Sequence, residues 1–183
     1  MKRRFVVVSG VPGSGKTTLA RRLSPALQLT LLDKDDILES LFDSESWGDH
    51  VRRHAQSRHS DQIFRQEAER SNGAILVSFW HLDGMAVESG TPVDWIPALG
   101  GTIAHVHCHC EPEVAAERFR TRRRHPGHLD SEISPEESLE RIRQLSRLPL
   151  PDLGRRIEID TTRDFDFEIV VRRVCAMLEE SCV

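Results

Sequence analysis

An α/β fold, a parallel sheet with helices on both faces, is predicted by three observations in this 183-residue chain. Short apolar runs of the kind that form buried strands alternate with segments whose apolar residues recur at helical spacing. The first run, Phe5-Val6-Val7-Val8, leads directly into Gly10-Val11-Pro12-Gly13-Ser14-Gly15-Lys16-Thr17-Thr18, after which a helical pattern begins. The length suits one domain, residues 1–183, with a real core, and no internal repeat or low-complexity linker divides it.

The glycine stretch fits G-x-x-x-x-G-K-[ST] in a strand–turn–helix setting, the pattern called a P-loop. Its glycines let successive N–H groups turn toward one anion, and the positive end of the following helix dipole faces the same point. Lys16 then reaches the β- and γ-phosphates and the Thr17 hydroxyl ligates Mg²⁺. Gly10, Pro12, Gly13, Ser14, Gly15, Lys16, Thr17 and Thr18 are the expected ATP-binding residues.

The elements follow in order. Leu19, Ala20, Leu23 and Leu27 mark the first helix, and a short strand at 30–32 ends in Asp33-Lys34-Asp35-Asp36. Ile37, Leu38 and Leu41 lie on the next helix, residues 43–49 read as a loop, and a longer helix covers 51–71 with Val51, Ala55, Ile63 and Phe64 inward. A buried strand at 74–79 precedes a loop at 81–90. Thr91-Pro92 reads as the N-cap and first residue of a short helix carrying Val93, Trp95, Ile96 and Leu99. A strand at 102–110 leads to a helix that opens on Glu111-Pro112-Glu113 and ends in the basic run 118–124. Ser134-Pro135-Glu136-Glu137 is a capping box for the next helix. The last strand is 156–160, and Phe167, Val170, Val171, Val174 and Leu178 stripe the final helix.

Composition narrows the class. A net charge of −4 argues against nucleic acid as the main partner. Cys108, Cys110, Cys175 and Cys182 lack metal or disulfide-framework spacing and read as reduced thiols of a cytoplasmic protein. No signal peptide and no transmembrane run is legible.

Ligands of such a sheet sit at the carboxyl ends of its strands. There, Asp35 is a candidate base for an attacking hydroxyl and Asp33 a candidate Mg²⁺ holder through water, with Asp36 left to start the helix. Arg118 and Arg122, four apart, share one helix face, with Arg124 just beyond; this is either a phosphate-binding lid over about 118–133 or a solvated helix end. Strand alternation separates His105, His107 and His109 from Cys108 and Cys110, so that segment alone cannot close around zinc. His59, Arg52, Arg53 and His54 are ambiguous between packing, solvated face and pocket. Trp47 and Trp80 are candidate pocket walls, with core packing the alternative for Trp80.

Gly10 to Thr18, Asp35-Asp36-Ile37-Leu38-Glu39, Arg118 to Arg124, and Ile157-Glu158-Ile159-Asp160-Thr161-Thr162 resemble the small P-loop kinases and phosphotransferases of the AAA-family ATPase type. Chloramphenicol phosphotransferase-like enzymes are the nearest named kind, with shikimate and gluconate kinases more distant. The resemblance implies a three-layer α/β/α fold, strand order 2-3-1-4-5, and ATP with Mg²⁺. It also implies phosphoryl transfer to a hydroxyl of a small molecule by a monomer or homodimer. Asp35 matches the acid that deprotonates the acceptor, Arg118 the arginine near adenine, Arg122 one at the transferred phosphate, and the Asp160-Thr161-Thr162 turn the loop beside the nucleotide's base. The third strand departs from the pattern: it ends Val77-Ser78-Phe79-Trp80 with no acid. Two readings stay open beside the small-molecule kinase: a polynucleotide 5′-hydroxyl or nucleotide-sugar kinase, and an ATP-binding switch without an acceptor.

Overall fold

The computed structural model describes residues 2–44, 48–86 and 89–179; Trp47 and Cys182 lie outside them. Five strands, β1 (Arg4–Ser9), β2 (Thr30–Asp33), β3 (Gly73–Val77), β4 (Thr102–His109) and β5 (Arg156–Asp160), form one sheet in the order β2-β3-β1-β4-β5. Every pairing is parallel, as the apolar runs require. Among the described residues six α-helices connect and cover it: α1 (Lys16–Leu27), α2 (Lys34–Ser44), α3 (His50–Arg70), α4 (Pro112–Thr121), α5 (Pro135–Leu145) and α6 (Phe167–Glu179). None is long and apolar enough to cross a membrane.

Alternation along the strands feeds two core layers. Val6, Val8, Ile75, Val77, Ala104, Val106 and Cys108 pack against α1 and α6. Phe5, Val7, Ala74 and Leu76 pack on the other face against Phe64 and Ala68 of α3 and against Trp80, Trp95, Ile96 and Leu99. Trp80 is therefore core: it is buried, it touches Phe64 and Trp95, and its indole donates to the Val8 carbonyl at 2.9 Å. At the amino-terminal edge of the sheet, Arg3 donates to the carbonyls of Ala68, Glu69, Ser71 and Leu99, tying the end of α3 and the 97–99 turn to β1.

Two segments differ from the sequence expectation. Residues 91–99 form no α-helix: Thr91 bridges Trp80, its amide donates to Phe79, and only Pro97–Leu99 makes a 3₁₀ turn. Thr91 is drawn out of a capping position because its hydroxyl is taken by Ser78 and Asp61. On α3 the buried stripe is Gln56, Ser60, Phe64 and Ala68, while Val51 is 78% exposed and His59 faces solvent. Two polar residues in that stripe hide it from a hydrophobic pattern.

The histidines of β4 lie on one face and the thiols on the other. His105 and His107 share the Ser9 hydroxyl at 2.7 and 2.9 Å. Burial pushes His105 down to about 4, helped by His107 and Arg156. The fold thus holds a neutral imidazole that the unfolded chain protonates below about 6.5. Stability from this group is complete above that pH and declines toward pH 4, with a slope of up to about 1.4 kcal/mol per pH unit. Urea unfolding at stepped pH is expected to record this decline, and His105→Gln to make it shallower, since burial also pushes His107 down to about 4.

Candidate active site

Because all five strands run one way, their carboxyl ends share an edge, and a cleft of about 910 Å³ opens there. Its floor is the glycine loop. Gly10, Gly13 and Gly15 hold φ of 146°, 77° and 85°. At Gly13 the need for glycine is doubled, since a Cβ would stand 2.0 Å from the Ala115 carbonyl oxygen. Gly15 caps α1 with no side-chain bond, and the first turn of α1 carries no acid. Its amides and dipole are left for an external anion. The Ser14 hydroxyl, also buried, has no partner among the described residues. These features fit a triphosphate.

Lys16 lies across the loop and donates to the carbonyls of Gly10 and Val11 at 2.9 and 3.0 Å. Burial pushes its ammonium down to about 8, against the opposing pull of the Asp35 carboxylate. Thr17 donates to Asp33 Oδ2 at 2.8 Å. Asp33 is 4% exposed, and burial, with the nearby charge of Asp35, raises it to about 6. Hydroxyl and carboxylate side by side at the loop fit a hard cation carried with phosphates. Asp33 also accepts the Asp35 amide at 3.0 Å and so caps α2, a role the sequence suggested for Asp36. Asp36 instead faces outward, 3.7 Å from Arg21.

Asp35 projects into the cleft from the first turn of α2. Burial opposes its ionisation, but Arg124, His128, Lys16 and Arg122 outweigh burial and hold the carboxyl below its ordinary range. Two acids two residues apart are thus driven in opposite directions.

The arginines divide their work. α4 stops at Thr121 and Arg122 is extended at its C-cap, so Arg118 and Arg122 do not share a helix face, although both line the cleft. Arg118 donates to the Thr161 carbonyl at 2.8 Å and lies beside the Cys110 thiol at 3.6 Å. Arg122 stacks on Phe119 at 4.4 Å and pairs with Asp130 at 3.0 Å. Thr161 is turned inward; its buried hydroxyl donates to the Ser14 and His109 carbonyls at 2.8 and 2.6 Å, bracing the loop from behind. Thr162 accepts the Glu111 amide at 3.0 Å.

Several residues that shape the site carry no sequence motif. Where the third strand lacks an acid, the buried Ser78 hydroxyl meets Thr91 at 2.6 Å, and Thr91 donates to Asp61 at 2.8 Å. Asp61 in turn pairs with buried Lys34 at 2.7 Å and with Arg58 at 3.2 Å. Arg53, His54, Ser57 and Arg58 line the cleft from α3, and Arg124 joins Asp35 from the segment after α4. The one advance signal was the clustering of Arg52, Arg53 and His54, equally typical of a solvated helix face.

Residues 5–149 match the AAA domain family. The chain belongs to that family. In this AAA domain the fold is the one found in small P-loop kinases. A solved protein of Chloroflexus aurantiacus J-10-fl, itself proposed to be a kinase, is similar at 28% identity and a TM-score of 0.79, covering 98% of this chain and 100% of that one. A shikimate kinase of Vibrio parahaemolyticus is 23% identical over 180 residues, 98% of each chain. A shikimate kinase of Corynebacterium diphtheriae is 51% identical, but over 39 residues only, so the match spans 21% of this chain and 22% of that relative.

The loop geometry generates a direct test. Gly13→Ala must displace either the loop or the start of α4, because the backbone atoms it meets cannot rotate away. Calorimetric titration with Mg²⁺ and ATP is expected to show affinity reduced about 10-fold or more, each unpaired phosphate contact costing about 1–3 kcal/mol.

Proposed function

We propose that this AAA domain is an ATP-dependent kinase that transfers the γ-phosphoryl group of ATP to a hydroxyl of a small molecule. The observation that carries this reading is the position of Asp35: an ionised carboxylate lines the same continuous cleft as Lys16 and Thr17, and the cleft is large enough for a nucleotide and a second ligand together. The similarity to shikimate kinases and to a protein proposed as a kinase supports it.

In the reaction, Asp35 accepts the acceptor's hydroxyl proton as that oxygen's lone pair attacks the γ-phosphorus. The bond from phosphorus to the β–γ bridging oxygen breaks, and its electron pair leaves with ADP. Lys16 and the amides of 13–18 hold the phosphates, and Arg122 faces the charge that develops on the transferred group. Arg118 borders the nucleotide end of the cleft, beside the turn at Thr161-Thr162. Thr17 and Asp33 are the residues that would hold Mg²⁺, which supplies neutralising charge on the phosphates when bound. Residues 122–133, carrying Arg122 and Arg124 beside the Pro126-Gly127 break, serve as a lid.

A second reading, an ATP-binding switch, draws on one observation: Ser78, in the place of a third-strand acid, has its hydroxyl engaged by Thr91 at 2.6 Å. Release of ADP in a coupled assay, across a panel of hydroxylated small molecules that includes shikimate and gluconate, separates the two. The kinase reading requires release above the basal rate with at least one acceptor. With that acceptor, Asp35→Asn is expected to lower turnover about 10²–10⁴-fold while ATP affinity stays within about twofold.

A further inference from the structure

We propose that Arg124 is a positioning residue that ties the alignment of Asp35 to the seating of the lid on α2; the inference rests on the kinase reading above. The guanidinium bridges two acids. One Nη pairs with Asp35 Oδ2 and the other meets Asp130 Oδ2 at 3.3 Å. Asp130 belongs to the lid and also holds Arg122 at 3.0 Å, so the arginine beside the phosphates and the arginine beside the base share one anchor.

The lid rests on the helix that carries the base. Asp35, Glu39 and Phe42 stand at i, i+4 and i+7, a single face of α2. His128 meets Glu39 at 2.8 Å, and the Phe42 ring lies 5.3 Å from that of His125 and 5.5 Å from that of His128. Gly127 passes so close that a Cβ there would stand 2.6 Å from the Phe42 ring. From α3, Arg53 donates to the Gly127 and His128 carbonyls at 2.7 and 2.8 Å. Seat and base are therefore rigidly spaced along α2, and Arg124 closes the circuit between them. Its side chain is 18% exposed against 45% for Asp35, so the pair is only partly screened.

Arginine suits this link because its planar fork serves two carboxylates at once, whereas lysine offers a single point of charge. Docking the lid then fixes the Asp35 side chain at the moment Arg122 meets the phosphates. Lifting it frees both. Arg124 need not touch nucleotide to do this, which distinguishes it from a phosphate clamp.

The test uses the full chain with Mg²⁺ and a non-hydrolysable ATP analogue. Arg124→Met is expected to leave affinity for the analogue within about twofold, to speed amide hydrogen exchange over residues 38–42 and 125–129, and to lower kcat about 10²-fold with little change in acceptor KM, as a misplaced base does. Arg124→Lys, keeping the charge, should restore part of kcat. Glu39→Ala, which loosens the seat, should lower kcat in the parent chain but add nothing in the Arg124→Met background. A loss of analogue affinity of about 10-fold or more, with exchange unchanged, overturns the proposal in favour of a phosphate contact; so does unchanged kcat in Arg124→Met. If no acceptor is phosphorylated by the parent chain, the kinase reading fails instead, and the exchange response alone then decides whether Arg124 links lid and helix.

Discussion

The close approach of the glycine loop to the neighbouring backbone constrains everything around it. Gly13 sits against the Ala115 carbonyl at the start of α4, and Gly10 against the Cys108 carbonyl at the end of β4. Thr161 binds the Ser14 carbonyl from the end of β5. Two strand ends and one helix therefore clamp the loop in the shape that turns its amides outward. The central place of β1, between β3 and β4, is what brings these neighbours within reach. A loop held this way has already lost its conformational freedom before any anion arrives.

The second organising feature is the division of charge in the cleft. Asp33 and Asp35 differ by two residues in sequence, yet one is drawn toward the neutral form by burial and the other toward the charged form by surrounding cations. Opposed environments of this kind let two chemically identical acids take different roles. Behind them, Lys34, Asp61, Thr91 and Ser78 form a chain of polar contacts across α2, α3 and the end of β3. Buried charges of this sort are tolerated where each has its partner, and here they join three elements at the rim of the cleft.

The sheet and most helices were legible because their signals are local: apolar runs, caps, and a motif with fixed spacing. Strand order followed from the kinase resemblance rather than from any pattern of residues. What escaped detection shares one physical origin. Gln56 and Ser60 are buried by tertiary packing that periodicity does not register, so the inward face of α3 was placed rightly at Phe64 and wrongly at Val51 and Ala55. Thr91 looked like a cap in isolation, but long-range bonds to Ser78 and Asp61 claim its hydroxyl. Lys16 and Thr17 were singled out by motif spacing and Asp35 by its place after the second strand, and all three line one cleft. Arg124 was read as part of a candidate lid, but its pairing with Asp35 was not legible, since it spans nearly ninety positions of chain.

Arg3 gathers four carbonyls at the pole of the sheet opposite the cleft. Cohesion is thereby concentrated at one end of the molecule and reactivity at the other. The bonds that fasten the starts of the strands are thus set apart from the cleft by the full length of the sheet, so a change at one pole need not propagate to the other.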